Sequence, residues 1–243
     1  MDWTKAKNIM IISLLITNMI LGGLIFHEYL KESDSRRSYL ADTLELLSAR
    51  GIDVDAEIPS DRIRMPVLSV RYDNLDKSLL QREIAATRPL DAASRTDQDI
   101  QAMTDDLLER CGILSKSVRF DRIEKESGVE TVIYKNVIDD IDIEDSYIKC
   151  TVADGTVTGL QRLWLEPVEL GKNKKEVMPI AEALIRFMSE NQEYEKIKIE
   201  KIEIVYWLDT TALGASETPV SDTAFPAWKI TYNGGKIKHI SAF

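Results

Sequence analysis

The residue types that most often carry out catalysis are sparse in this chain of 243 residues. It has two histidines, His27 and His239, which are few for a Ser-His catalytic pair or a metal site built from histidines. The sequence has no glycine-rich phosphate loop, no paired-cysteine zinc spacing and no nucleophile elbow. We therefore predict no enzymatic activity, no cofactor and no metal, and we interpret both histidines as surface residues.

One acidic stretch, residues 139–145, superficially resembles a calcium loop because Asp140, Asp142 and Glu144 alternate. A calcium loop of this type needs glycine at its sixth position and a bidentate glutamate at its twelfth. The stretch lacks that glycine, and Thr151 stands where the glutamate should be. We interpret it as a solvated connection between strands.

The two cysteines both lie in apolar patterns. Cys111 ends a helical stripe, and Cys150 shares a strand face with Ile148 and Val152. Two cysteines are too few for a disulfide framework, so we interpret them as buried thiols. A disulfide between Cys111 and Cys150 stays open as the alternative in an oxidising compartment.

Three tryptophans, Trp164, Trp207 and Trp228, fall on predicted strands in the second half of the chain. A cluster of such rings could form a peptide-binding groove or part of the core. Each lies in an alternating apolar pattern, which favours the core.

The apolar run from Ile9 to Phe26 is long enough to cross a bilayer as a helix of roughly 27 Å. Lys5 and Lys7 precede the run, so the positive-inside rule predicts a cytoplasmic N-terminus and an extracytoplasmic remainder. A cleaved signal peptide is the alternative, but its apolar region is usually only about 7 to 15 residues, and no small-x-small cleavage site follows here. We predict an uncleaved, single-pass anchor.

Polar and small residues interrupt this apolar run on two sides of the predicted helix. Ser13 and Thr17 are four residues apart on one side, and Asn18 and Gly22 are four apart on another, about 140° round the helix. A polar amide in lipid is tolerated chiefly where it meets another polar group, which predicts neighbouring spans as partners. The alternative is that the hydroxyls bond their own backbone carbonyls and that Asn18 is merely tolerated.

The net charge of −10 becomes −11 beyond the anchor, once the +1 of Asp2, Lys5 and Lys7 is removed. This is the wrong sign for binding nucleic acid or anionic lipid headgroups. We exclude both as partners.

Periodicity predicts an α+β fold. The anchor is expected to continue outward as helix until Gly51, a short helix follows Asn74, and longer helices span 96–111, closed by Gly112, and 176–190. Strands are predicted at 67–72, 118–123, 129–136, 147–153, 156–165, 197–208, 224–232 and 236–243. Turns are predicted at Asp154-Gly155 and 233–235, and a β-bulge at Glu200-Lys201.

The polar stretch 88–95 suggests a hinge between two lobes. We therefore predict a cytoplasmic stub and transmembrane anchor at 1–30, an N-terminal extracytoplasmic lobe at 31–112, and a C-terminal lobe at 113–243. The C-terminal lobe is expected to be an antiparallel sheet of the order βββ-α-βββ, with a helix across one face.

Both ends of the chain resemble a known family. Met1-Asp2-Trp3-Thr4-Lys5-Ala6-Lys7 before an apolar span is similar to the start of the YycI (WalI) family, where Met-Asp-Trp-(Ser/Thr/Asn)-x-x-Lys leads into a signal anchor. Pro226-Ala227-Trp228-Lys229-Ile230, a turn, and His239-Ile240-Ser241-Ala242 are similar to the family's closing Pro-x-Trp-x-Ile and Tyr-Tyr-(Ile/Val)-Asn-Ala strands. His239 and Ser241 depart from the usual Tyr and Asn.

The resemblance implies a regulator of the YycFG (WalRK) two-component system, which governs cell-wall metabolism in low-GC Gram-positive bacteria. It implies a protein that is not an enzyme and that works with its paralogue YycH. Both would bind the sensor histidine kinase YycG (WalK), chiefly through membrane helices, and whether the effect is activation or inhibition varies within the family. Asn18 would then be a contact point for a kinase or YycH span. The alternative function is an anchored extracytoplasmic module that binds a cell-wall polymer or peptide on the tryptophan-bearing sheet.

Overall fold

The computed structural model describes residues 3–59, 62–73, 77–91, 96–191, 196–208 and 221–243. In these residues the helices are α1 (Trp3–Ala49), α2 (Lys77–Ala86), α3 (Asp97–Arg110) and α4 (Ile180–Glu190). The strands are β1 (Ile52–Val54), β2 (Arg64–Met65), β3 (Leu68–Asp73), β4 (Val118–Glu126), β5 (Val129–Ile138), β6 (Ile141–Ala153), β7 (Thr156–Leu170), β8 (Lys175–Glu176), β9 (Ile197–Trp207), β10 (Ser221–Tyr232) and β11 (Lys236–Ser241). The predicted α+β class is confirmed. The start of the helix predicted after Asn74 and part of the predicted 88–95 loop lie outside the described residues.

Packing divides the chain into two compact units. The smaller comprises Met1–Val54 and Ile180–Lys198, and the larger comprises Asp55–Pro179 and Ile199–Phe243. The predicted anchor at 1–30 and the predicted lobes at 31–112 and 113–243 stay a prediction.

Helix α1 dominates the smaller unit and is unbroken over 47 residues. It includes Met10–His27, a stretch of mean hydropathy 2.0 with no buried residues, which is long and apolar enough for one membrane span. The predicted outward continuation of the helix is confirmed. Gly51 follows the helix with φ of +78°, a left-handed conformation that glycine adopts without steric cost.

Helix α4 packs against α1 within the same unit, and β1 also contacts α1. The predicted start of this helix at residue 176 is wrong. Residues 175 and 176 form β8, and the Val177 N–H donates to the Ile63 carbonyl over 2.9 Å. Because Pro179 disfavours a helical conformation at Met178, the helix begins only at Ile180.

The larger unit is built on one mixed sheet. Its described strands run in the order β9-β10-β3-β7-β6-β5-β4, and β11 also pairs with β10. All these neighbours are antiparallel, and one parallel pairing, Ile143 with Tyr206, links β6 back to β9. Strand β9 therefore pairs with β10 along its length and with β6 at a single residue pair.

The predicted order βββ-α-βββ is incomplete in two ways. Four long strands, β4 to β7, precede α4, which agrees with the four individual strand predictions between residues 118 and 165 but not with the three strands of the predicted order. Strand β3, which was assigned to the N-terminal lobe, is inserted between β10 and β7. Strand β10 is long enough to pair with β3 along its first residues and with β11 along its last residues, so it accommodates both.

Helix α3 supplies the helix that covers a face of this sheet. It begins with a capping box, in which the Thr96 hydroxyl accepts from the Asp99 N–H and the Asp99 carboxylate accepts from the Thr96 N–H. Its apolar side packs in one cluster with residues of β5, β6 and β7: Ile100, Met103, Leu107, Leu108, Cys111, Val132, Tyr134, Ile148, Cys150, Val152, Val157 and Trp164. The predicted helix 96–111, with Gly112 as its stop, is confirmed.

The predicted turns and bulge are also confirmed. Asp154 and Gly155 have φ of +50° and +75° between paired strands, and residues 233–235 all have positive φ in the β10–β11 hairpin. Thr231 and Tyr232 of β10 pair with Lys201 and Ile199 of β9. Glu200 is therefore the extra residue of a bulge on β9.

Candidate functional site

The membrane-length part of α1 presents its side chains outward. Ser13, Thr17, Asn18 and Gly22 are all exposed, like the large apolar residues between them. Its length and composition make this part of α1 a candidate membrane span, and the four residues lie on its exposed surface.

Thr17 and Ser13 are joined by a hydrogen bond within the helix. The Thr17 hydroxyl donates to the Ser13 carbonyl oxygen over 2.9 Å. This bond uses the hydroxyl proton of Thr17 within its own helix, as expected from the alternative in which the hydroxyls bond backbone carbonyls. The hydroxyl oxygen keeps acceptor capacity for a donor on another helix.

The side-chain amide of Asn18, unlike the Thr17 hydroxyl, makes no hydrogen bond with any described residue. Gly22, one turn further on, has nothing within 4 Å of the position that a Cβ would occupy. An amide beside a side-chain-free patch lets another helix approach closely enough to bond the amide. Asn18 and Gly22 thus lie one turn apart on one exposed side of the helix.

Beyond the span, the same helix is held by the smaller unit. Thr43 and Leu47 are buried, and Leu40 is half-buried, along a stretch where α1 contacts α4 and β1. The Thr43 hydroxyl donates to the Tyr39 carbonyl over 2.8 Å, so it is buried with its hydrogen bond made. One unbroken helix therefore joins a packed end to an exposed, membrane-length end.

The three tryptophans do not form one groove. Trp164 is buried in the α3 cluster, with its Nε1 3.3 Å from Glu166 Oε2. Trp228 is buried elsewhere and donates to the Met178 carbonyl over 2.9 Å. Trp207 is half-buried and stacks on His239 with ring centroids 5.2 Å apart. Two of the rings are core residues, and only Trp207 reaches the surface.

The interpretation of the acidic stretch as a solvated connection holds for Asp139 and Asp140, which are exposed, but is wrong for Asp142. Asp139 and Asp140 form the β5–β6 turn with φ of +49° and +64°, and the residues that follow belong to β6. Asp142 is buried and pairs with Arg119 and with Lys135, at 3.1 Å from Lys135 Nζ. Because side chains alternate along β6, the Asp142 carboxylate faces Arg119 of β4 and Lys135 of β5.

Glu144 forms a second, half-buried cluster of charged and polar side chains, which the sequence did not reveal. Its Oε1 lies 2.7 Å from Lys229 Nζ on β10, and its Oε2 lies 3.3 Å from His239 Nε2 on β11. Burial would raise the pKa of the carboxyl, but hydrogen bonds from His239 and Lys229 and their charge outweigh it and lower that pKa to about 2. The interpretation of His239 as a surface residue is only partly correct, because the residue is half-buried between Glu144 and Trp207.

Cys111 and Cys150 are both free and buried, in the same apolar cluster. Burial raises the pKa of both thiols, and that of Cys150 reaches about 12. A thiol with a raised pKa is a poor nucleophile. Both residues therefore act as packing side chains in this structure. Among the described residues, no group of three His, Cys, Asp or Glu side chains is arranged to hold a metal.

A family model described as YycI protein matches residues 30–243. The match covers most of the chain, so this protein belongs to the YycI family. A search of curated proteins found no match. Membership implies a role in the YycFG (WalRK) two-component system, in a family that is regulatory and is not known as a family of enzymes.

Proposed function

We propose that this protein is a membrane-anchored regulator of the sensor histidine kinase YycG (WalK), acting together with YycH through contacts between transmembrane helices. In this proposal the short N-terminus is cytoplasmic, because Lys5 and Lys7 precede the span, and the rest of the chain is extracytoplasmic. The regulated output is cell-wall metabolism.

Asn18 is the observation that carries the proposal. An amide without a hydrogen bond, in the middle of a membrane-length helix, gains roughly 0.6 to 2 kcal/mol from a bond to another span. Ser13, Thr17 and Gly22 complete two small or polar sides that two neighbours could use. Family membership supports a kinase of the YycFG system as one of them.

The mechanism is a bias between two packings of the kinase helices. A span that binds one packing better than the other shifts the kinase equilibrium by the difference in binding free energy. A coupling of about 1 to 3 kcal/mol changes the populations severalfold to a hundredfold. The extracytoplasmic lobes, predicted at 31–112 and 113–243, would adjust this bias because α1 continues unbroken towards them.

The direct test replaces Asn18 in the full-length chain in its native membrane. We expect Asn18→Leu to lower co-purification of the kinase and to change kinase output, whereas Asn18→Gln, which keeps an amide, retains both in large part. Full retention of both properties by Asn18→Leu would remove this side of the helix from the mechanism.

Exchange of the whole span for an unrelated anchor separates this function from that of a binding module for wall polymer or peptide. A regulator that acts through helix packing loses its effect on the kinase after the exchange. A binding module keeps its function, because its ligand would bind outside the membrane.

A further inference from the structure

Beyond the span, α1 has one covered side and one open side. Leu40, Thr43 and Leu47 lie on the covered side, towards the interior of the smaller unit. Tyr39 and Leu46 lie on the open side, and their side chains are 47% and 44% exposed. The two exposed residues are seven apart, the spacing of successive contact positions where two helices pack side by side.

The open side is in phase with one of the two polar sides of the span. At about 100° per residue, Tyr39 and Leu46 lie within about 40° of the direction of Thr17. Ser13 lies within about 40° of the same direction. Ser13, Thr17, Tyr39 and Leu46 thus form one strip along α1, which we call the open strip.

The covered side is in phase with the other polar side. Leu40, Thr43 and Leu47 lie within about 40° of the direction of Asn18. A neighbour that contacts Asn18 in the membrane must therefore part from α1 where that side is covered. Tyr39 and Leu46 of the open strip are exposed, so a neighbour that contacts Thr17 can contact α1 again beyond the span.

Asp42 indicates the chemistry of that neighbour. It lies on the open strip between Tyr39 and Leu46, within about 20° of the direction of Thr17. Its carboxylate is exposed and makes no ion pair or hydrogen bond with any described residue. A helix that faces this strip would place apolar residues on Tyr39 and Leu46 and a lysine or arginine on Asp42.

We propose that the open strip docks a helix of a second membrane protein, which crosses the bilayer beside Thr17 and continues past it alongside Tyr39, Asp42 and Leu46. This inference rests on the proposed function and extends it, because it places part of the contact with the partner outside the membrane. It also assigns the two polar sides to different neighbours: one bound along the whole helix, and one bound through the membrane alone.

The test is site-specific photo-crosslinking of the full-length chain in its native membrane, followed by identification of the adduct. The probe is placed in turn at Thr17, Tyr39 and Leu46. Matched control positions are Ala41 and Ser48, which are also exposed and seven apart but point about 120° to 140° away from Thr17. We expect the same membrane protein to be captured from all three strip positions and not from the controls. Three results would overturn the inference: capture from Thr17 alone, capture from Tyr39 and Leu46 but not from Thr17, or equal capture from the control positions.

Charge variants provide the second measurement. We expect Leu46→Glu and Asp42→Lys to lower co-purification of that protein about fivefold or more, and Ser48→Glu and Ala41→Lys to leave it unchanged. Equal retention in all four variants would contradict the docking. Failure of the proposed function is a different result, since it would appear as full activity of Asn18→Leu regardless of the outcome at Tyr39 and Leu46.

Discussion

Glu144 is held by side chains from two other strands, Lys229 on β10 and His239 on β11, and all three side chains are mostly buried. Removing the charge of Glu144 leaves Lys229 mostly buried without its counter-charge. We expect Glu144→Gln to lower the free energy of unfolding by about 2 to 4 kcal/mol. Glu124→Gln is the control, because Glu124 pairs with Arg122 on the surface and its loss should cost under about 1 kcal/mol. Denaturant titration of the full-length chain in detergent measures both values, and equal losses would contradict this account.

The same carboxyl should make stability depend on pH. Its pKa is about 2 in the folded chain, below its ordinary value of 4.5, so the unfolded chain takes up this proton first as the pH falls. The stabilisation is present above about pH 5 and is lost towards about pH 2. Thermal melts from pH 7 to pH 2 should therefore fall more steeply for the parent chain than for Glu144→Gln. Parallel curves would show that this carboxyl keeps its ordinary pKa in the folded state.

At the scale of residues, the sequence revealed positions but not long-range partners. Asn18 was recognisable because an amide is unusual in an apolar run. The contact between Glu144 and His239 spans 95 positions and depends on the order of the strands, which no local pattern encodes. For the same reason, an alternating acidic stretch was interpreted as solvated.

At the scale of elements, α3 depends on its first residue. The Thr96 hydroxyl accepts from the Asp99 N–H, and the hydroxyl and backbone N–H of Thr96 both bond the Asp99 carboxylate. We expect Thr96→Ala to destabilise the chain by about 1 kcal/mol and Thr96→Ser, which keeps the hydroxyl, to cost much less. Urea unfolding followed by circular dichroism measures the difference, and identical midpoints would exclude a capping contribution.

Helix α1 offers a sharper comparison because adjacent leucines differ in burial. Leu47 is fully buried and Leu46 is exposed. We expect Leu47→Ala to cost about 2 to 4 kcal/mol and to speed amide exchange in α4, whereas Leu46→Ala changes stability by less than about 0.5 kcal/mol. Hydrogen exchange of both variants tests this, and a similar effect of the two would contradict the assignment of the covered side.

The boundaries of most elements could be predicted because local chemistry fixes them. Gly51 and Gly112 follow their helices with positive φ, and the Asn233–Gly235 turn joins its strands as expected. The start of α4 was misplaced because its amphipathic pattern extends upstream of Pro179, while pairing with distant residues holds that stretch extended. The insertion of β3 beside β10 could not be predicted, because pairing over such a distance leaves no periodic signal.

At the scale of the whole molecule, Met10–His27 contributes little to the folded part. No residue of Met10–His27 is buried. We expect a chain that lacks residues 1–34 to leave the membrane fraction and to keep the thermal unfolding temperature of the remaining core within a few degrees. Differential scanning fluorimetry and membrane fractionation measure the two properties. A large fall in melting temperature would mean that the span supports the fold.

The continuity of α1 makes the number of residues between the apolar segment Met10–His27 and the end packed on α4 a geometric quantity. One extra residue in that stretch would turn Asn18 by about 100° about the helix axis relative to the packed end. Seven extra residues would lengthen the helix by about 10 Å yet restore its orientation to within about 20°. The number of residues in this stretch therefore sets the direction in which Asn18 faces relative to the packed end.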